Sequence, residues 1–329
     1  MTKYTIEYKG KVLNTSHFSN ISDEKCEEIR QAYYTKPEKY LVFDNLVKVR
    51  RGSTNVSNIT KYYFKDLMSK VKLEGPKWTI EEVLECNDLI RYYYSRTQSS
   101  ETIYPPSASD IVKFETALRI SGGGVAMKPS NFPMKTVDFI LEKYNINNNY
   151  YDFSCGWGVR MLSALKHNIN YYGTDPNIEL VNRLISLHND YNLVNNSNGF
   201  VDIKSSGSEI FHQEWENKMG VCFSSPPYFT LEDYKLGEQS IKKYPKYQDW
   251  LELYMGSTIR NCKRYLISGG HILINIKNFR TFKLYDDTFK LCHDLGLDFI
   301  EEFEMKNIKR PSAKKDLNTN EFIMVFRKI

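Results

Sequence analysis

Asp152-Phe153-Ser154-Cys155-Gly156-Trp157-Gly158 closes an apolar run that opens at Tyr150 and leads straight into an amphipathic segment, Val159 to His167. An apolar run that stops on two glycines and resumes with helical periodicity reads as strand, tight turn and helix. Glycines there let the backbone approach a ligand closely, and open α/β sheets bind ligands at the carboxyl ends of their strands. An isolated turn of this kind is as readily a plain strand-to-helix connection. Asp175 shifts the balance, because it ends the next apolar run, Tyr172-Gly173-Thr174-Asp175-Pro176-Asn177. An acid ~20 residues after a glycine turn stands where ribose hydroxyls would be bound; alone, it would do as a helix cap. A nucleotide-type ligand accounts for both features at once.

Working outward, strands and helices alternate. A helix is expected over Ile178 to His188 and strands over Gly199 to Lys204 and Met219 to Ser224. A helix over Tyr247 to Leu266 follows, then a strand over His271 to Ile276. This alternation implies a parallel sheet with right-handed crossovers. Leu297 to Phe303 and Glu321 to Arg327 are joined by a basic loop with no helix, which predicts an antiparallel pair at the end of a seven-stranded α/β sheet. Upstream, Ser22 before Asp23 and Glu24, and the capping box Thr79-Ile80-Glu81-Glu82, open helices, the second running toward Tyr94. Ser121-Gly122-Gly123-Gly124 is the strongest breaker cluster and is taken as the joint between a mainly helical domain, 1–120, and the sheet domain, 121–329.

Bulk properties bound the rest. With 329 residues and 41% hydrophobic content the chain can fill a real core, and a net charge of +5 permits a polyanionic partner without demanding one. The six cysteines occur singly and the six histidines form no metal-type spacing, so neither a disulfide framework nor a bound metal is expected. The start lacks a signal-type apolar core and no run approaches a membrane span, so a reduced, cytoplasmic protein is expected.

The most specific segment is Ser224-Ser225-Pro226-Pro227-Tyr228-Phe229, directly after the run Met219 to Ser224. Paired prolines fix the backbone and withhold two amide donors, leaving a loop suited to accepting hydrogen bonds, while Tyr228 and Phe229 offer flat faces for a base. Together these segments resemble the amino-methyltransferases of DNA modification, which methylate cytosine N4 or adenine N6. Asp152 to Gly158 resembles that family's D-x-x-x-G-x-G cofactor loop. Ser225-Pro226-Pro227-Tyr228 resembles its catalytic motif, and Asn131-Phe132-Pro133-Met134-Lys135-Thr136 the motif before the first strand. Ser268-Gly269-Gly270-His271 resembles the turn into the fifth strand. The likeness spans roughly residues 128–329 and implies a Rossmann-like methyltransferase fold using S-adenosylmethionine.

It also implies roles. Asp152, Ser154, Gly156 and Gly158 would surround the methionine part of the cofactor, with Asp152 facing its amino group. Asp175 would hold its ribose, Asp202 its adenine, and Lys135 and Thr136 its carboxylate. Ser225, Pro226, Pro227 and Tyr228 would be catalytic, Tyr228 stacking on a base flipped out of duplex DNA. Serine before Pro-Pro-Tyr goes mainly with cytosine N4, which places it ahead of adenine N6. Cys155 and Cys222 are buried small residues in this reading, since amine methylation uses no thiol and the Pro-Cys dipeptide of carbon-5 enzymes is absent.

The chain departs from the resemblance in one respect: no long recognition segment separates the third and fourth sheet strands. DNA recognition is therefore expected of the N-terminal region, where Lys48, Arg50, Arg51, Lys61, Lys65, Lys70, Lys72 and Lys77 lie among Tyr62, Tyr63, Phe64 and Trp78. Lys306, Lys309, Arg310, Lys314 and Lys315 form a second basic stretch. An RNA or protein methyltransferase on the same core, or an inactive nucleic-acid binder, stays open at this point.

Overall fold

The computed structural model describes residues 4–98, 109–120, 125–126, 129–146, 148–235, 237–305 and 320–329. The Ser121–Gly124 joint and the basic stretch from Lys306 to Lys315 lie outside these residues.

The chain divides into two compact units, but not at one point. The first comprises 1–37, 64–130 and 232–235; the second comprises 38–63, 131–231 and 236–329. This differs from the single boundary expected at 120. The N-terminal part runs β1 (Tyr4–Tyr8), β2 (Lys11–Thr15), α1 (Asp23–Tyr34), α2 (Lys39–Arg50), α3 (Ser57–Lys70), β3 (Lys72–Leu73), α4 (Ile80–Glu85), α5 (Asn87–Gln98) and α6 (Asp110–Ile120).

In the first unit β1 and β2 form an antiparallel hairpin that helical periodicity gave no reason to expect. Lys9 and Gly10 take φ of 49° and 68° at its tip, as a two-residue turn between twisted strands requires. Ser22 caps α1 and Thr79 forms the full capping box with Glu82, as the sequence predicts. The helix expected to run on to Tyr94 instead breaks at Cys86, whose extended backbone ends α4 before Asn87 starts α5. The core of this unit gathers Tyr33, Trp78, Tyr93 and Phe114.

The second unit holds the sheet. Its elements are α7 (Met134–Lys143), β4 (Asn149–Asp152), α8 (Val159–Lys166), β5 (Asn170–Thr174), α9 (Ile178–Asn195), β6 (Val201–Lys204) and β7 (Met219–Ser224). After a short β8 (Glu232–Asp233) that belongs to the first unit come α10 (Ser240–Lys243), α11 (Tyr247–Asp249), α12 (Ser257–Tyr265), β9 (Leu266–Ile276), α13 (Leu284–Asp294), β10 (Leu297–Glu304) and β11 (Phe322–Lys328). The strand order is β10-β11-β9-β7-β4-β5-β6. Strands β9, β7, β4, β5 and β6 are parallel, while β11 inserts antiparallel between β10 and β9. The expected seven-stranded α/β sheet with a terminal antiparallel pair is thus what forms. The helix expected over Tyr247 to Leu266 is interrupted by a π-helical stretch, Trp250–Gly256, and Leu266 already belongs to β9.

Residues 38–63 join this unit through side chains. Arg50 Nη1 donates to the carbonyls of Leu165 and Lys166 at 3.2 and 3.0 Å, satisfying the C-terminal end of α8. Arg183 donates to the Tyr63 carbonyl at 2.8 Å, and the Tyr63 hydroxyl donates to Asp190.

Candidate active site

The first parallel strand, β4, lies mid-sheet; β5 and β6 extend to one side of it, and β7 and β9 to the other. The strand order therefore reverses between β4 and β7, and open α/β sheets bind ligands at the carboxyl ends of strands beside such a switch. The Asp152–Gly158 turn leaves β4 there, Asp175 follows β5, and Ser225 follows β7.

Gly156 and Gly158 sit in left-handed backbone, with φ of 56° and 76°, conformations that cost a side-chain-bearing residue energy. The turn they form is tied to a buried ion pair. Asp152 is fully buried; its Oδ2 accepts from Arg160 Nε at 2.8 Å and from the Tyr171 hydroxyl at 2.8 Å, and its Oδ1 from the Ser154 amide at 3.2 Å. Arg160 also donates through Nη2 to the Ser154 carbonyl. The Asp152 carboxylate, expected to face a ligand amine, is instead committed to holding the turn. Burial opposes the Arg160 charge most strongly, but Asp152 together with Tyr150 and Tyr171 outweighs it and holds the guanidinium above its ordinary range.

Asp175 is 8% exposed and accepts the Asn177 amide at 3.0 Å. Burial pushes its carboxyl up to about 7, with the nearby Asp152 charge adding to the rise, while the Asn177 and Gly156 amides hold it down. The glycine turn and Asp175 are therefore in direct contact, as the sequence spacing suggests. Cys155 packs beneath them, its thiol on the Thr174 carbonyl at 3.4 Å, and burial raises the thiol well above its ordinary range. A Cβ on Gly173 would lie 2.5 Å from that sulfur, so the glycine is demanded by its neighbour. Cys222 is likewise fully buried.

The loop after β7 meets this turn through one hydrogen bond, from Ser224 Oγ to the Ser154 carbonyl at 3.2 Å. Ser225 and Pro227 are half-buried and Pro226 is buried. Ser225 Oγ accepts from Asn275 Nδ2 at 3.2 Å, and the buried Tyr228 donates its hydroxyl to the Asn275 carbonyl at 3.2 Å. Neither expected stacking ring stands open: Tyr228 is 5% exposed, and Phe229 is 4% exposed and packs against Tyr247, Trp250 and Phe282.

The motif before β4 reaches the same place. The Phe132 ring lies edge-on to Phe223 at 5.5 Å and under the Arg160 guanidinium at 5.3 Å. Asn131 Nδ2 donates to Thr60 at 3.1 Å. In the first turn of α7, Thr136 is buried and Lys135 exposed. Asp202 stands apart from the carboxyl end, two residues before β6 finishes. Its carboxylate accepts from the Trp215 indole at 2.9 Å and pairs with Lys204 at 3.1 Å.

Arg160, Tyr171, Asn275 and Glu321 are the site residues that sequence reasoning missed. Two carried a weak signal: a cation eight residues after a buried-strand acid, and one polar residue in the run Ile272-Leu273-Ile274-Asn275-Ile276.

The basic-aromatic set expected to meet DNA is divided between the two units. Lys48, Arg50, Arg51 and Lys61 belong to the sheet unit, and Lys65, Lys70, Lys72 and Lys77 to the other. Tyr63, Phe64 and Trp78 are buried. Lys65 is buried too, paired with Glu115 at 2.5 Å and 4.1 Å above the Tyr33 ring, while Arg50 caps α8. Aromatics at helical spacing here fill cores, and Lys65 packs on one of them.

Residues 219–329 match the family model described as DNA methylase, which bears out the resemblance over the segment from β7 to the last strand. Among solved structures the chain is similar to a TehB-like SAM-dependent methyltransferase from Corynebacterium glutamicum, with 13% identity, 59% of this chain and 88% of that chain covered, and a TM-score of 0.41. A methyltransferase from Pyrococcus furiosus gives 16% identity, 71% and 94% coverage and a TM-score of 0.41. The N-methyltransferase NodS from Bradyrhizobium japonicum, in complex with S-adenosyl-l-homocysteine, gives 11% identity, 60% and 89% coverage and a TM-score of 0.39. No curated protein matches the chain.

Proposed function

We propose that this chain is an S-adenosylmethionine-dependent DNA methyltransferase that acts on an exocyclic base amine, with cytosine N4 ahead of adenine N6. The reading is carried by one observation: Ser225-Pro226-Pro227-Tyr228 leaves β7 at the switch point and is joined, through Ser224 and the Ser154 carbonyl, to the glycine turn after β4. The family match over residues 219–329 includes this catalytic loop.

The residues present fit the cofactor. Gly156 and Gly158 offer backbone without Cβ atoms, and Asp175, whose carboxyl accepts the Asn177 and Gly156 amides, is the acceptor for ribose hydroxyls. When bound, the cofactor supplies an electrophilic methyl group on a sulfonium. The chain's own part is to make an aromatic amine nucleophilic, since its lone pair is delocalised into the ring. Ser225 Oγ and the Pro226 carbonyl would accept hydrogen bonds from the two amine N–H groups, drawing the nitrogen toward tetrahedral geometry and freeing the lone pair for in-line attack; the nitrogen would gain the methyl as the methyl–sulfur bond breaks and then give up one proton to solvent. Pro226 and Pro227 keep this loop stiff. The base is flipped out of the duplex to reach it.

Incubation with labelled S-adenosylmethionine and separate DNA, RNA and protein pools, followed by mass spectrometry of digested nucleosides, tests the reading. N4-methylcytosine is expected from DNA. N6-methyladenine alone would reverse the choice of base, and label confined to RNA or protein would overturn the assignment.

A further inference from the structure

Asn275 is 1% exposed on β9. Its Nδ2 lies 3.2 Å from each of three acceptors, Ser225 Oγ, the Tyr228 hydroxyl and Glu321 Oε2. Its Oδ1 is buried with no hydrogen-bond partner among the described residues. A buried amide with one end unsatisfied is costly, so packing is a poor reason for an asparagine among isoleucines. Which end of the amide faces Ser225 is decided by Glu321. A carboxylate attracts the amide N–H and repels the amide oxygen, so Nδ2 turns toward Glu321 and hence toward Ser225 and Tyr228. Asn275 therefore donates to Ser225, its two N–H groups being shared among the three acceptors. A serine oxygen carries one proton and two acceptor positions. With one position filled by Asn275, Ser225 keeps the other for an incoming N–H and its own proton for an acceptor beside that N–H.

We infer that Asn275, oriented by Glu321, is a positioning residue that sets the Ser225 hydroxyl to grip a donor–acceptor pair: the exocyclic amine of a nucleobase and the ring nitrogen next to it. This rests on the proposed function and narrows it. Cytosine offers the pair at N4 and N3 and adenine at N6 and N1, whereas a lysine ammonium offers donors only.

The test is single-turnover transfer of label from S-adenosylmethionine to plasmid DNA free of methylated bases, with cofactor affinity measured alongside by calorimetry. Asn275→Ala is expected to slow transfer on the order of 10²-fold, the loss typical of a displaced reacting group, with cofactor affinity unchanged. Asn275→Asp keeps the shape but replaces the donor by an acceptor that draws the Ser225 proton inward, and is expected to be as slow. Asn275→Ala combined with Ser225→Ala should be no slower than Ser225→Ala alone, because Asn275 acts through that hydroxyl. Glu321→Gln, at a partly exposed position, should cause a smaller loss of rate without loss of cofactor affinity, and gives the same readout if the Asn275 variants do not fold. An Asn275→Asp enzyme at full rate, additive losses in the double variant, or an unchanged Glu321→Gln enzyme would each overturn the inference. Wild-type protein that binds cofactor yet labels no DNA overturns the proposed function before any variant is made.

Discussion

The turn after β4 is held by charge: Asp152 and Arg160 are buried together, and Tyr171 and the Ser154 amide also donate to the carboxylate. The loop after β7 has no charged side chain from Ser224 to Phe229 and is held by two proline rings and neutral hydrogen bonds to Asn275. Both end neighbouring strands of one sheet. Changes at the charged turn should therefore appear first as lost stability. Changes at the neutral loop should appear as lost rate in a protein that still folds.

The largest effect is expected from Asp152→Ala, which leaves the Arg160 guanidinium buried without its partner. About 3–5 kcal/mol of stability should be lost, read by urea denaturation. A variant that melts with the wild type would mean that the turn does not depend on the pair. Next is Ser225→Ala, expected to slow methyl transfer by about 10²-fold in single-turnover assays while leaving stability and cofactor affinity intact. A fully active variant would remove Ser225 from the chemistry and collapse the comparison from the other side.

Asp175 sharpens it. At a pH well above 7, where the carboxylate is ionised, Asp175→Ala should weaken cofactor binding by the value of one or two charge-assisted hydrogen bonds, about 1.5–3 kcal/mol each, measured by calorimetry. Its carboxyl sits at about 7 in the folded protein against ~3.9 unfolded, so the folded state holds the extra proton between those values. The contribution to stability is fully present below about pH 4 and is lost as pH rises through about 7. Denaturation curves of wild type and Asp175→Asn should thus differ in pH dependence across this window, the wild type alone losing stability from this group as it ionises. Parallel curves would show that Asp175 is not a raised carboxyl. The smallest effect is expected from Gly156→Ala. Its φ of 56° should cost roughly 1 kcal/mol, since the added Cβ meets Arg160 Nη2 only at 3.4 Å.

The parts legible beforehand share a cause. The glycine turn, Asp175 and the Ser-Pro-Pro-Tyr loop are local patterns whose chemistry is written within a few residues, and the sheet followed from strand and helix periodicity. The β1–β2 hairpin, the break at Cys86 and the π-helical stretch at Trp250–Gly256 were not, because each is set by packing that overrides a weak local preference. The N-terminal cations misled for a related reason. Composition counts Lys65 and Arg50 as charges, but only the folded chain shows one buried against Glu115 and the other capping a helix that lies more than a hundred residues on.

By itself, then, the sequence determined the α/β architecture, the succession of its strands along the chain and which loops would follow β4, β5 and β7. Periodicity and turn chemistry are properties of neighbouring residues, and they survive without knowledge of the partners. Tertiary structure alone decided that Asp152 is paired with Arg160, that Phe229 is core, and that Asn275 meets both Ser225 and Glu321. Those hydrogen bonds join positions up to 50 residues apart, as between Asn275 and Ser225, and a hydrogen bond has no sequence signature until the fold brings its donor and acceptor together.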